Sequence, residues 1–173
     1  ELTAKPVRVF IDNIGTSINT QYPEYGAIIS ADEAVMIFTS RRPGSTGGKI
    51  DEGINEPFED LYISYRLNNQ WTTAQNMGEI VNDDGHDAAI NLSPDGMTLL
   101  VYQDDKGDGN IYQSKLVGDL WSKPKKLGKN INTKEKETSA SFSYDGKTLY
   151  FISGREGGLG GLDIWTSQWD DKK

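Results

Sequence analysis

The chain has 173 residues and a formal net charge of −8, so its surface repels phosphate backbones and anionic lipid headgroups and argues against a nucleic-acid partner. It has no Cys and a single His, His86, which excludes disulfides, thiol catalysis and His-rich metal sites. A hydrophobic content of 35% with 10% aromatics can fill a core, while no apolar run of about 18 residues offers a membrane span.

The first predicted element lies in residues 6–20 (PVRVFIDNIGTSINT), an isolated strand followed by a Gly-to-Asn turn. No secretion signal is visible at Glu1, so the sequence reads as a matured or excised chain. Residues 24–40 (EYGAIISADEAVMIFTS) then form a hairpin. An alternating strand leads through an Asp-centred turn into a β-branched, aromatic one. A long insertion follows at 41–59 (RRPGSTGGKIDEGINEPFE). Long loops on rigid scaffolds often carry binding function, so the insertion is either a partner-contacting loop or a flexible one. Its GSTGG run lacks the Lys-[Ser/Thr] ending and following helix of a phosphate loop. Residues 59–82 supply a third strand and an irregular fourth around Trp71.

The pattern then returns. Residues 86–103 repeat the hairpin around Pro94-Asp95-Gly96, and residues 109–133 repeat strands three and four around Trp121. Residues 137–153 repeat the hairpin again around Tyr144-Asp145-Gly146, and residues 162–171 repeat strand three. Ser93 to Ser143, Trp71 to Trp121 and Asn82 to Asn132 each span 50 residues, and Ser30 to Ser93 spans 63 because of the insertion. Pro124 cannot donate to a ladder, which places the fourth strand at a sheet edge. The third copy stops before its Trp-Gly-Asn portion, and residues 6–20 match that portion, with Gly15 and Asn19 spaced like Gly128 and Asn132.

Four antiparallel strands per ~50 residues, in series, describe a β-propeller. The expected fold is all-β, one propeller domain over residues 1–173. Its blades lie at about 21–82, 83–133 and 134–173, the last completed by the N-terminal strand 6–20. Small residues in the first strands (Ala27, Ala88, Ala89, Ser139, Ala140, Ser141) suit the crowded axis. Met36, Phe38, Leu99, Val101, Leu149 and Phe151 suit the wider part of the wedge. Propellers close with about 4–8 blades, so three blades imply half of a six-bladed ring, either as a fragment of a longer chain or as a homodimer.

The motifs S-x-D-G-x-T-L-x-F-x-S, R-x-G-G-x-G-G-x-D-I-[YW]-x-S and W-S-x-P-x-x-L-G-x-x-I-N-T resemble the WD-like repeats of TolB-type propellers. Residues 40–64 (SRRPGSTGGKIDEGINEPFEDLYIS) are most similar to the propeller domain of Bacteroidetes envelope proteins of the OmpA family, which include a component of the type IX secretion (gliding) apparatus. The resemblance implies a non-enzymatic scaffold for protein–protein interaction at the periplasm or outer membrane, with an envelope protein as partner. The helical repeats and the peptidoglycan-binding domain of those proteins are absent from this sequence, so no peptidoglycan function is carried over.

Three constellations remain as candidate sites. Asp104, Asp105, Asp108 and Asn110 crowd oxygen donors into one short loop, which suits calcium or, equally, a polar hairpin turn stabilised by Gly107 and Gly109. Arg41, Arg42, Lys49 and Arg155 either bind an anionic partner group or form ion pairs between blades. Asp60, Asn110 and Asp163 hold one position in every repeat and read as Asx side chains that bond turn backbone. His86 lies beside Asp83, Asp84 and Asp87 with no Ser or Lys to serve as its nucleophile and reads as a cap, and Trp71 and Trp121 read as packing residues. No catalytic residue and no cofactor other than a calcium ion is implied. The alternative reading is a carbohydrate-binding or hydrolytic propeller with acids and aromatics in its central funnel.

Overall fold

The computed structural model describes residues 9–104 and 107–168. Among them there is no α-helix, and no helix is long and apolar enough to cross a membrane. Asp105, Trp169 and the start of the N-terminal segment lie outside the described residues.

Three antiparallel sheets follow one another. The first is built from β1 (Glu24–Ile29), β2 (Val35–Ser40), β5 (Asp60–Leu67) and two short pieces, β6 (Gln70–Trp71) and β7 (Gln75–Asn76), with the pair β3 (Ile50–Asp51) and β4 (Glu56–Pro57) inserted after β2. The second is built from β8 (Asp87–Leu92), β9 (Thr98–Gln103), β10 (Asn110–Val117), β11 (Leu120–Trp121) and β12 (Lys125–Lys126). The third has β13 (Glu137–Phe142), β14 (Thr148–Ser153) and β15 (Asp163–Gln168). The expected fourth strand is thus two fragments that both pair with strand three, split where Pro124 and its counterpart Ala74 interrupt the ladder.

Each first hairpin closes on the same turn. Ser93 Oγ donates to Asp95 Oδ1, the Met97 N–H donates to that oxygen at 3.0 Å, and the Thr98 N–H donates to Ser93 Oγ at 2.8 Å. The Ser30–Asp32 and Ser143–Asp145 turns repeat these bonds. Each turn needs one left-handed residue. Gly96 (φ 72°) and Gly146 (φ 70°) supply it, whereas the first repeat uses Glu33 (φ 57°) at a steric cost that glycine avoids.

The sheets stack face to face. Ile37, Leu61 and Ile63 of the first bury against Leu99 and Val101 of the second. Leu100 and Ile111 of the second bury against Ala140 and Phe151 of the third. A connecting segment inserts one aliphatic residue at each junction, Val81 at the first and Ile131 at the second. The segment 15–20 does the same on the outer face of the first sheet, where Ile18 packs with Met36, Phe38 and Tyr62. The first strands line up on one side, β1 beside β8 and β8 beside β13, as axial strands of a propeller do. Residues 9–14 form no strand within the chain.

Candidate functional site: the axial cleft and its loop-bearing rim

The loops between strands two and three, at 41–59, 104–109 and 154–162, all leave from the same end of the sheets. On this rim the insertion folds as a hairpin of its own, fastened at several points. Asp60 Oδ2 accepts from the Thr46 N–H (2.7 Å) and hydroxyl (3.0 Å) and from Asn76 Nδ2 (2.6 Å). Lys49 Nζ reaches Asp84 at 2.7 Å, and Gly47 (φ 76°) lies so close to Asp84 that a Cβ there would meet the Asp84 Cβ at 2.6 Å.

At the base of the insertion Glu59 gathers a polar cluster. Its Oε2 takes the Arg41 guanidinium at 2.7 Å and His86 Nδ1 at 2.6 Å, while the His86 ring stacks on Phe58 with centroids 3.9 Å apart. Arg41 also reaches Asp51 and the Pro57 carbonyl inside the insertion. Tyr25 stands beside this group, and burial, reinforced by the Glu59 charge, pushes its phenol above the usual tyrosine value. Glu59 and Tyr102 also line an axial cleft of about 450 Å³ walled by the small first-strand residues Gly26, Ala88, Ala89 and Ser139.

A second arrangement recurs once per sheet. Glu24 accepts from the Thr20 hydroxyl and from Arg42, whose guanidinium also donates to the Ile18 carbonyl. Glu137 accepts from the Thr133 N–H and hydroxyl and from the Ser153 hydroxyl, and Arg155 donates to the Asn130 and Ile131 carbonyls. In the middle sheet Asp87 and Gln103 take these places: Gln103 Nε2 donates to Asp87 Oδ1 at 2.5 Å, and Asp87 Oδ2 accepts the Asp83 N–H at 2.7 Å. Each latch ties a first strand to the segment entering its sheet. Arg42 and Arg155 further lie over aromatic rings, at 4.5 Å from Tyr62 and 4.6 Å from Phe151.

The sequence-named residues therefore separate. Of the four basic candidates, Arg42 and Arg155 hold latches, Arg41 belongs to the Glu59 cluster, and Lys49 ties the insertion to Asp84. In the acidic loop, Asp104 Oδ1 accepts the Gly107 N–H and Asp108 Oδ1 accepts from Asn110 Nδ2, so both serve the turn. Asn110 Oδ1 and Asp60 Oδ1 are buried without a hydrogen-bond partner among the described residues. No group of three or more His, Cys, Asp or Glu gathers as metal ligands among the described residues. Asp163 accepts the Gly160 N–H at 3.0 Å, the turn role read from the sequence. Trp71 packs with the Phe38–Tyr62 cluster and Trp121 with the first inter-sheet core. Glu59 carried no signal in the sequence, because its partners lie 18 and 27 positions away; the latches were missed as well, although the repeated Thr-x-x-x-Glu and Ser-x-Arg spacings are a signal that could have found them.

No protein-family model matches the chain, and no curated protein matches it significantly. Among solved structures it is similar to TolB from Acinetobacter baumannii, with 16% identity and a TM-score of 0.53 over 82% of this chain and 29% of that one. It is similar in the same way to a putative TolB from Agrobacterium tumefaciens, with 18% identity and a TM-score of 0.53 over 81% of this chain and 40% of that one. The chain thus spans well under half the length of either structure. At these identities the likeness concerns fold, and the fold is that of part of a TolB-type β-propeller.

Proposed function

We propose that the chain is a non-enzymatic propeller module that displays its loop-bearing rim to a protein partner in a bacterial envelope or secretion complex. The observation that carries this reading is the insertion. It is a hairpin held to the rim by Thr46–Asp60, Arg41–Glu59 and Lys49–Asp84, and it presents Ile50 and Ile54 about half exposed, at 49% and 53%. Apolar residues on an anchored protrusion offer a contact whose ordering entropy is already met by the scaffold.

The carboxylates point the same way. Among the described residues the acid pushed furthest from its ordinary range, Asp87, is fully buried inside a latch, not open to the cleft. The acids held below their ordinary range include Asp32, Asp95 and Asp145 in the hairpin turns at the opposite rim, where they accept Ser hydroxyls. His86 faces a carboxylate and a phenyl ring, and among the described residues no hydroxyl or amine nucleophile pairs with it. The periplasmic setting rests on the resemblance to envelope propellers.

The test is affinity capture from bacterial envelope extract with the wild-type chain and an Ile50→Asp/Ile54→Asp variant as parallel baits. A protein retained by the first and lost by the second supports the reading. Identical recovery on both baits, or none on either, overturns it.

A further inference from the structure

The fourth-strand segment of the second sheet carries four lysines in seven residues, Lys123, Lys125, Lys126 and Lys129, in a chain whose net charge is −8. All four are exposed. They lie on and beside β12, which pairs with β10 on the side of the sheet away from the axial strand β8. There Lys125 stands opposite Gln113 and Lys126 opposite Tyr112. A shallow groove of about 410 Å³ runs along this edge, with Gln113, Lys126, Lys129 and Asn130 in its lining.

The first sheet shows what the fold itself asks of such an edge. Trp71, Gly78 and Asn82 stand 50 residues before Trp121, Gly128 and Asn132, and Asn76 pairs with Tyr62 as Lys126 pairs with Tyr112. At the places of Lys123, Lys125, Lys126 and Lys129 the first sheet has Thr73, Gln75, Asn76 and Glu79. Thr73, Gln75 and Glu79 are exposed, as their counterparts are. One backbone thus bears four positive charges in the second sheet and a single negative charge in the first. Lysine and proline on an edge strand discourage pairing with another chain, but β7 and its flanks have neither. Nor do these lysines serve the chain's own acids. The sequence has 26 acidic residues against 18 basic ones, and Arg41, Arg42, Lys49, Arg66 and Arg155 each reach a carboxylate. Among the described residues no carboxylate forms an ion pair with Lys123, Lys125 or Lys129.

We infer that this lysine edge docks an acidic segment of a partner protein, a contact independent of the one proposed for the loop-bearing rim. An extended chain rises ~3.3 Å per residue, so the row is roughly 20 Å long and successive carboxylates of an extended segment meet successive ammonium groups. Each exposed ion pair contributes little, so the affinity comes from several acting together and falls as salt is added. The same chemistry favours a segment over an anionic membrane. A flat surface resting on this edge also meets the rest of an acid-rich chain, including Glu79 at the equivalent place on the first sheet. A narrow segment meets only the row, because charges farther away than a Debye length of about 10 Å are screened.

The probe is a fluorescent glutamate peptide about eight residues long, enough at ~3.3 Å per residue to span the row. It is titrated by anisotropy against the 173-residue chain at low ionic strength. The wild-type chain binds it, and the affinity falls as salt is raised. The variant Lys123→Thr/Lys125→Gln/Lys129→Glu installs the residues that the first sheet already carries at these positions, so the fold has a precedent for all three. It lowers the affinity roughly tenfold or more. Lys115→Gln/Lys136→Glu/Lys147→Gln makes the same change in net charge away from this edge and leaves the affinity nearly unchanged. A wild type that does not bind the peptide overturns the inference, and so does an equal loss in both variants, which would assign the binding to overall charge. Vesicles of phosphatidylglycerol held more tightly than the peptide, and released by the first variant, overturn it in favour of a membrane.

Discussion

Asp87 shows how a single side chain links burial to stability. It is fully buried, and that burial pushes its carboxyl up to about 7, with the charges of Asp83 and Asp60 adding to the effect and the bonds from Gln103 and the Asp83 N–H opposing it. The unfolded chain releases this proton near the ordinary 3.8, so between about 4 and 7 the native state binds more protons than the unfolded one. Stability therefore falls as pH rises through that window, by a few kcal/mol from this group. Asp87→Asn is expected to flatten the decline in Tm between mildly acidic and neutral pH. A variant with the wild-type slope would assign the decline to other groups. His86 and Glu59 illustrate a different residue-scale economy: one buried carboxylate serves an arginine and an imidazole at once, which fixes the insertion and the second sheet to the same point.

Hairpin turns recur in all three sheets, and split fourth strands in the first two. The Ser-x-Asp turn recurs because the Asp oxygen satisfies a backbone N–H and a hydroxyl that the tight reversal leaves without strand partners. The same bonds hold the carboxyl of Asp95 below its ordinary range, chiefly through Ser93. Asp95→Ala is expected to cost about 1 kcal/mol of stability, measured by urea unfolding at neutral pH. Because a depressed carboxyl contributes above its unfolded value and loses that contribution as pH falls through its folded one, the cost shrinks in strong acid. The insertion is the element where sequence and structure part furthest. As a loop it is rich in Gly and charge, yet it folds as a hairpin because Asp60, Glu59 and Asp84, all outside or at the edge of it, supply its partners.

At the scale of the molecule, two of the buried apolar clusters lie between neighbouring sheets. Leu61 and Ile111 occupy the same repeat position and seal the two junctions. Leu61→Ala is expected to cost 2–5 kcal/mol by removing side-chain volume from a junction that cannot collapse, since each sheet is held rigid by its own ladder; a thermal-unfolding series would show it, roughly. A loss below about 1 kcal/mol would mean that the sheets are stable singly and that stacking is secondary.

Much of this architecture was legible in the sequence. The 50-residue period, the Asp-centred turns and the small residues of the first strands specify four-stranded blades, since turn chemistry and two-residue alternation are local properties of the chain. The insertion was visible as a break in the period, and the roles of Asp163, Trp71 and Trp121 followed from recurrence. Tertiary structure decided the rest. It decided that Arg42 and Arg155 turn inward to carbonyls and acids, that Glu59 is the hub of the rim, and that Asp87 is buried enough for its carboxyl to be pushed well above the usual range. It also decided that Ile164 stays exposed while its repeats are sealed. These depend on groups brought together from distant positions, and on which face another sheet covers, and neither distance nor cover is encoded in the local order of residues.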